Sequence, residues 1–390
     1  MKKILSLILC LAMVMALVAC GGNTESNNSN NNNNNNNSNT NNEQQTTDKE
    51  FKVAMVTDYG DITDQSFNQT TYEACQAFCT ENGLGFTYFK PASDSDEDRI
   101  ASIEQAIDEG YNVIVMPGYA FGPAIKATAG DNPEVTFIAL DVSAGDLGDD
   151  YVVPSNLYCA VYQEELCGYM AGYAAVKLGY KKLGFLGGMA VPAVVRYGYG
   201  FVQGVDAAAA ELGLTDVEVK YCYGNQFYGD ADITAFMDTW YQAGTEVVFA
   251  CGGGIFTSAG EAAKKVNAKV IGVDVDQAAI IDGMFETPGM TVTSAMKGLA
   301  ATVKATLAAV VAGTFAGGKI DTLGLVSDNP EENFVQIAPS TQFGDTFTAD
   351  DYKALVAAMH AGTITVSNDI TKNAADFATV ITVVDQGNIK

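Results

Sequence analysis

From residue 51 onward the chain repeats one unit: a short apolar or β-branched run, a small or acidic turn, then an amphipathic stretch. Candidate strands fall at 51–57, 85–89, 112–116, 135–140, 181–186, 217–221, 246–250 and 269–273. Runs such as Val113-Ile114-Val115-Met116 lack polar alternation, as expected of strands covered on both faces in a parallel sheet. Residues 65–82 carry Phe67, Thr71, Ala74, Cys75, Phe78 and Cys79 at helical spacing, one apolar stripe. Helical patterns recur at 97–109, 161–178, 194–212, 233–243, 258–266, 297–312 and 349–360. This alternation predicts an α/β fold with doubly wound parallel sheets. It comes in two sets, 51–155 and 156–288, followed by a tail at 289–390.

The first residues set an expectation about compartment. Residues 1–19 read as a signal peptide: Lys2 and Lys3, an apolar run over 4–18, then Ala19 before Cys20. The run is short for a membrane span, which needs about 20 apolar residues. Leu17-Val18-Ala19-Cys20 resembles a bacterial lipobox, in which cleavage precedes the Cys and the Cys is acylated. Cys20 is therefore the expected lipid anchor, placing the protein at the cell membrane on its extracytoplasmic face. Residues 20–49 add a polar, Asn-dominated tether with little to bury. A flexible segment of that size spans on the order of 30 Å.

Composition removes several function classes. Asp and Glu number 47 against 21 Lys and Arg, a net charge of −26, whereas nucleic-acid binding needs clustered cations. One His, and 8 Cys without paired metal spacing, predict no metal and no cofactor. Once Cys10 leaves with the signal and Cys20 takes lipid, six cysteines remain, most within apolar runs. Such cysteines read as buried free thiols, with disulfides as the alternative.

Ligands of doubly wound sheets bind beyond the carboxyl ends of the strands. There the chain places Asp58 through Asn68, then Asp141, then Asp274 and Asp276, with Gly187-Gly188 and Gly252-Gly253-Gly254 after two further strands. Carboxylates accept from hydroxyls, glycine lets backbone approach a ligand, and Phe67 offers a flat face. Each feature also has a plain structural reading. Asp58 or Asp64 can cap the following helix, Asp141 can be a turn residue, Phe67 a core residue, and the glycines a turn. No Gly-x-x-x-x-Gly-Lys-Ser/Thr loop and no clear Gly-x-Gly-x-x-Gly fingerprint is present. An acidic rim favours a neutral, hydroxyl-rich ligand over a phosphate.

The segment Thr57-Asp58-Tyr59-Gly60 through Asp64-Gln65-Ser66-Phe67-Asn68 resembles the opening motif of the basic membrane protein family of bacterial lipoproteins. The resemblance continues through 184–189 with Pro192 and Arg196, then Gly272-Val273-Asp274-Val275-Asp276-Gln277, then Thr293-Ser294-Ala295-Met296-Lys297. It spans residues 51 to about 340. These proteins are similar to the purine nucleoside receptor A type of ABC-transporter substrate-binding protein. The resemblance implies a periplasmic-binding-protein type I fold, two Rossmann-like lobes joined by a hinge. The first lobe would take 51–155 with a return over about 289–325, the second 156–288 with part of 326–390.

The implied function is capture of purine nucleosides (adenosine, guanosine, inosine) by a monomeric binding protein, not an enzyme, that serves ABC permease subunits. Carried over, Asp58 and Asp141 would hydrogen-bond base or ribose, Phe67 would stack on the purine, and Asn68 would add a polar contact. Asp274 would accept from ribose hydroxyls, and Lys297 would donate to ribose or base. Tyr197 is an implied wall, Phe227 a second stacking candidate, and Gly253 a backbone contact. The chain departs from the family pattern at Cys251-Gly252-Gly253-Gly254-Ile255-Phe256. Three alternatives stand beside this one: a sugar or other solute-binding protein of the same fold, a surface nucleoside hydrolase, and a sensor passing ligand occupancy to a membrane kinase. Sugar sites often stack on Trp, and the single Trp240 falls in a helical pattern.

Overall fold

The computed structural model describes residues 50–148 and 150–390. The expected signal peptide at 1–19, Cys20 and the tether to residue 49 lie outside the described residues. The described residues form one compact unit.

The first sheet contains β1 (Lys52–Val56), β2 (Gly85–Phe89), β3 (Val113–Pro117), β4 (Thr136–Leu140) and β5 (Leu157–Tyr162). The second contains β6 (Lys182–Gly187), β7 (Glu218–Tyr223), β8 (Val247–Cys251), β9 (Lys269–Asp274) and β10 (Thr291–Lys297). Then β11 (Lys319–Leu323) returns to the first sheet, while β12 (Val335–Ile337) and β13 (Thr382–Asn388) join the second. The orders are β2-β1-β3-β4-β5-β11 and β13-β7-β6-β8-β9-β10-β12. All pairings are parallel except β10 with β12. Each sheet thus carries the same five-strand winding, reversing beside its first strand. The all-buried β3 and β8 show why the apolar runs do not alternate: helices cover both faces.

Two boundaries differ from those expected. The strand at 157–162, placed in the second lobe by sequence, completes the first sheet beside β4. The strand at 291–297, placed in the return to the first lobe, extends the second sheet beside β9. Both end where the chain changes lobe. It crosses after β5, after β10, and again between β11 and β12. The three passages run side by side, with Gln163 N donating to Leu323 O (2.9 Å), Gly298 N to Phe334 O (2.7 Å) and Phe334 N to Gly324 O (3.0 Å). They form the hinge.

Behind it, helix Glu164–Lys177 lies directly on helix Pro192–Leu212. A Cβ at Gly168, Gly172, Gly200 or Gly204 would overlap a backbone carbonyl oxygen of the opposite helix: Tyr197, Phe201, Glu165 and Tyr169 respectively. The two backbones meet because four glycines remove the side chains between them. The end of the chain is pinned to the second lobe, where Asp206 accepts from the backbone of Thr379 (2.7 Å) and Val380 (2.8 Å). Trp240, in helix Ala231–Gln242, donates to Gln386 of β13 at 2.7 Å. All six described cysteines are buried and free.

Candidate ligand-binding site

The carboxyl ends of strands from both sheets surround a cavity of about 450 Å³ between the lobes, within the usual range of about 300–1,000 Å³ for small-molecule sites. On the first-lobe side the loop after β1 is tightly determined. The Asp64 carboxylate accepts from the backbone N–H of Ser66 (2.9 Å), Asn68 (2.9 Å) and Gln69 (3.0 Å), capping helix Phe67–Asn82. Asp58 does not cap this helix. Its Oδ1 accepts from Tyr59 N and Gly60 N, both at 2.6 Å, and from Asn68 Nδ2 at 3.2 Å. Buried Arg99 donates to the Asp58 carbonyl at 3.2 Å and fixes the turn from below.

Both amide hydrogens of Asn68 are thus spent on carboxylates, since Nδ2 also reaches Asp64 Oδ2 at 3.1 Å. The amide is oriented, and its Oδ1 is buried without a partner. Burial raises the Asp58 and Asp64 carboxyls above their ordinary range, opposed by the backbone N–H groups they accept from.

Asp141, just after β4, and Asp274, the last residue of β9, are in left-handed backbone conformation, with φ of 59° and 64°. For residues with a Cβ this is uncommon, and it turns each carboxylate out of its strand toward the cavity. Asp274 Oδ2 accepts from Ser66 Oγ of the opposite lobe at 2.6 Å, and its Oδ1 lies 3.4 Å from the Tyr197 hydroxyl. Asp141 Oδ2 pairs with Lys297 Nζ at 2.5 Å, while its Oδ1 is buried without a partner. Lys297 ends β10 and also stands 3.5 Å from Glu164 and 3.6 Å from Asp274. Its ammonium lies 4.8 Å from the centre of the Phe67 ring.

Burial raises the Asp141 carboxyl to about 6; Lys297 opposes that shift, and Glu164 and Asp274 add to it. Burial alone would lower the Lys297 ammonium, but Asp141, Asp274 and Glu164 together hold it above its ordinary range. The lobes also meet where Gln277 Nε2 donates to Gln65 O at 3.1 Å.

Phe227, in the loop after β7, faces the same space from the second lobe. A Cβ at Gly188 would overlap its ring, and one at Gly252 would lie 2.8 Å from its Cδ1. These glycines make the slot in which the ring sits.

Residues 51–337 match the family described as ABC transporter substrate-binding protein PnrA-like. The chain belongs to this family. Among curated PnrA-like relatives, the ABC transporter nucleoside-binding protein BmpA of Lactococcus lactis is 30% identical over 71% of this chain and 79% of its own length. Basic membrane protein B of Borreliella burgdorferi is 27% identical, over 62% and 70%. Among solved structures, an ABC transporter solute-binding protein from Aeropyrum pernix aligns with TM-score 0.64 at 20% identity, covering 84% of this chain and 90% of that one. One from Conexibacter woesei aligns with TM-score 0.63 at 22% identity, covering 82% and 99%. These neighbours carry the periplasmic-binding-protein type I fold, and this chain shares it. As a PnrA-like protein it is a substrate-binding component of an ABC transporter.

Asp58, Phe67, Asn68, Asp141, Tyr197, Phe227, Gly253, Asp274 and Lys297 all line this one cavity. Tyr197 is almost wholly buried, so it backs Asp274 more than it covers open space. Sequence reading passed over Tyr59, Tyr119, Asp146 and Tyr228, which also line it. It also passed over Glu164. The available signal was a Glu164-Glu165 pair heading an otherwise apolar helix, and both residues are buried.

Proposed function

We propose that the protein captures purine nucleosides between its lobes and presents them to an ABC permease, held at the membrane surface by lipid on Cys20. The observation that carries this reading is the pair of buried acceptors without donors, Asn68 Oδ1 and Asp141 Oδ1, in a cavity that has aromatic rings from both lobes. Such acceptors suit a ligand rich in N–H and O–H groups. A nucleoside offers a flat base for Phe67 and Phe227, and ribose hydroxyls for Asp141 and Asp274. The Lactococcus relative named as nucleoside-binding supports the same ligand class. Stacking contributes about 1–3 kcal/mol per base, and hydrogen bonds to charged groups about 1.5–3 kcal/mol each, enough for micromolar binding near −8 kcal/mol.

The test is a thermal-shift screen of nucleosides against pentoses and hexoses on protein freed of co-purifying ligand. Adenosine, guanosine or inosine should raise the melting temperature, and a response confined to sugars would refute the reading. Release of free base from inosine would replace a receptor with a hydrolase.

Asp274→Ala should weaken adenosine binding by at least about tenfold, the loss of one charge-assisted bond. Unchanged calorimetric affinity would remove Asp274 from the site. Adenosine affinity should also fall as pH drops through about 6, where Asp141 takes up a proton and ceases to be a charged acceptor. Calorimetry at pH 7.5, 6 and 5 reads this directly. A flat profile would show that Asp141 does not hold the ligand.

A further inference from the structure

Glu164 is the first helical residue after the crossing from β5, fully buried, and outside the cavity wall. Its Oε2 accepts from Arg196 Nε at 2.7 Å, and its Oε1 lies 3.5 Å from Lys297 Nζ. Arg196 and Lys297 both line the cavity. Glu164 therefore touches the site only through its two cations. We infer that Glu164 is a positioning residue: clamped by Arg196, it holds the Lys297 ammonium at the seam of the lobes, between the two carboxylates that face the ligand.

The geometry around the ammonium gives the reason. Asp141 binds it at 2.5 Å and Asp274 stands at 3.6 Å, so Lys297 is shared unequally between the lobes. Glu164, placed at the hinge itself, supplies the third pull. Without it, Lys297 would settle fully on Asp141, and Arg196 would lose its 2.7 Å partner beside the ligand space. Preorganised polar groups of this kind need their own supporting shell.

The groups facing this cluster come from six elements. They are Tyr162 of β5, Glu164, Glu165 and Cys167 of the following helix, Arg196 and Tyr197 of helix Pro192–Leu212, Cys251 of β8, Asp274 of β9 and Lys297 of β10, with Asp141 opposite. Removing the negative charge of Glu164 should ease ionisation of Asp141.

The experiment compares wild type, Glu164→Gln and Glu164→Asp. The Asp141 titration is followed by carboxyl carbon NMR in ligand-free protein, and adenosine affinity by calorimetry. In Glu164→Gln the Asp141 midpoint should drop by about half a pH unit or more, and adenosine should bind about tenfold more weakly at pH 7.5. Glu164→Asp keeps the charge one methylene further back, so its midpoint should stay near wild type while its affinity falls between the other two. A merely structural role would leave the midpoint of Glu164→Gln unchanged, and that result overturns the inference. If Glu164→Gln does not fold, wild-type affinity in Glu164→Asp overturns it instead. The inference uses the nucleoside reading only for its ligand. A wild type that binds no nucleoside would refute that reading, while the ligand-free titration still decides the role of Glu164.

Discussion

Lys297→Met is expected to destabilise the protein by about 3–5 kcal/mol at pH 7.5, the usual penalty for removing one partner of a buried ion pair, and to abolish adenosine binding. The ammonium is the shared counter-charge of Asp141, Glu164 and Asp274, each within 3.6 Å and all within the closed seam of the lobes. Methionine matches its length and leaves three carboxylates facing one another, with Arg196 as the remaining neighbouring cation. The sign of the pH dependence follows. Without Lys297, which opposes the rise, the folded-state Asp141 carboxyl climbs further above its unfolded value, so the folded chain binds a proton there more readily than the unfolded one. Stability then falls as pH rises. In wild type the same holds on a smaller scale for Asp141. Its contribution is fully present below the ordinary carboxyl range of about 4 and is lost as pH rises through about 6. Urea melts at pH 5 and pH 7.5 should therefore show the Lys297→Met deficit shrinking at the lower pH. An equal deficit at both values would mean that the carboxylates do not depend on this ammonium for their charge.

Gly204→Val is expected to be more damaging still, with little folded protein recovered. At this position a Cβ would overlap the carbonyl oxygen of Tyr169, an atom of helix backbone that cannot rotate away. Gly200 beside it meets Glu165 in the same manner. Relief requires the helices to separate, and this pair carries the floor of the second lobe and Glu164 at its hinge end. Overpacking a dense interior commonly costs 1–3 kcal/mol; a backbone collision in a helix pair belongs in the exceptional class above about 4 kcal/mol. Soluble expression and a thermal melt suffice to check it. A variant melting at the wild-type temperature would show that the helices do not touch as described.

The strand-end carboxylates were legible in the sequence because the parallel-sheet rule locates them. Once β1, β4 and β9 are recognised, Asp58, Asp141 and Asp274 follow by position, and Phe67 follows from the helix it opens. The hinge was not legible. Residues 157–162 hold Tyr, Cys and Val that read equally as strand or helix, and the apolar pattern runs on through 178, so one helix from 161 absorbs the end of β5. Residues 291–297 mix Thr and Ser with Ala and Met, which conceals a buried strand and turns Lys297 into an apparent helix start. Glu164 was hidden for another reason. Its partners Arg196 and Lys297 lie 32 and 133 positions away, and nothing local in the chain announces a pairing that only the folding of the second lobe creates. The acidic pair at 164–165 reads locally as favourable charge at a helix start, whereas tertiary burial makes it part of the site's foundation.

The three crossings also govern the order in which the molecule can be assembled. The first sheet waits for β11 at 319–323, and the second for β13 at 382–388, so neither half is a continuous stretch of chain. A polypeptide emerging amino end first can gather β1 to β5 early, yet it leaves the outer edge of β5 uncovered until most of the second lobe has been made. Large α/β proteins of discontinuous topology expose such edges to mispairing. A chain arrested near residue 337, just past β12, would hold β11 in place and still lack the strand that closes β7. Maturation thus waits on β13, the strand at 382–388 that completes the second sheet.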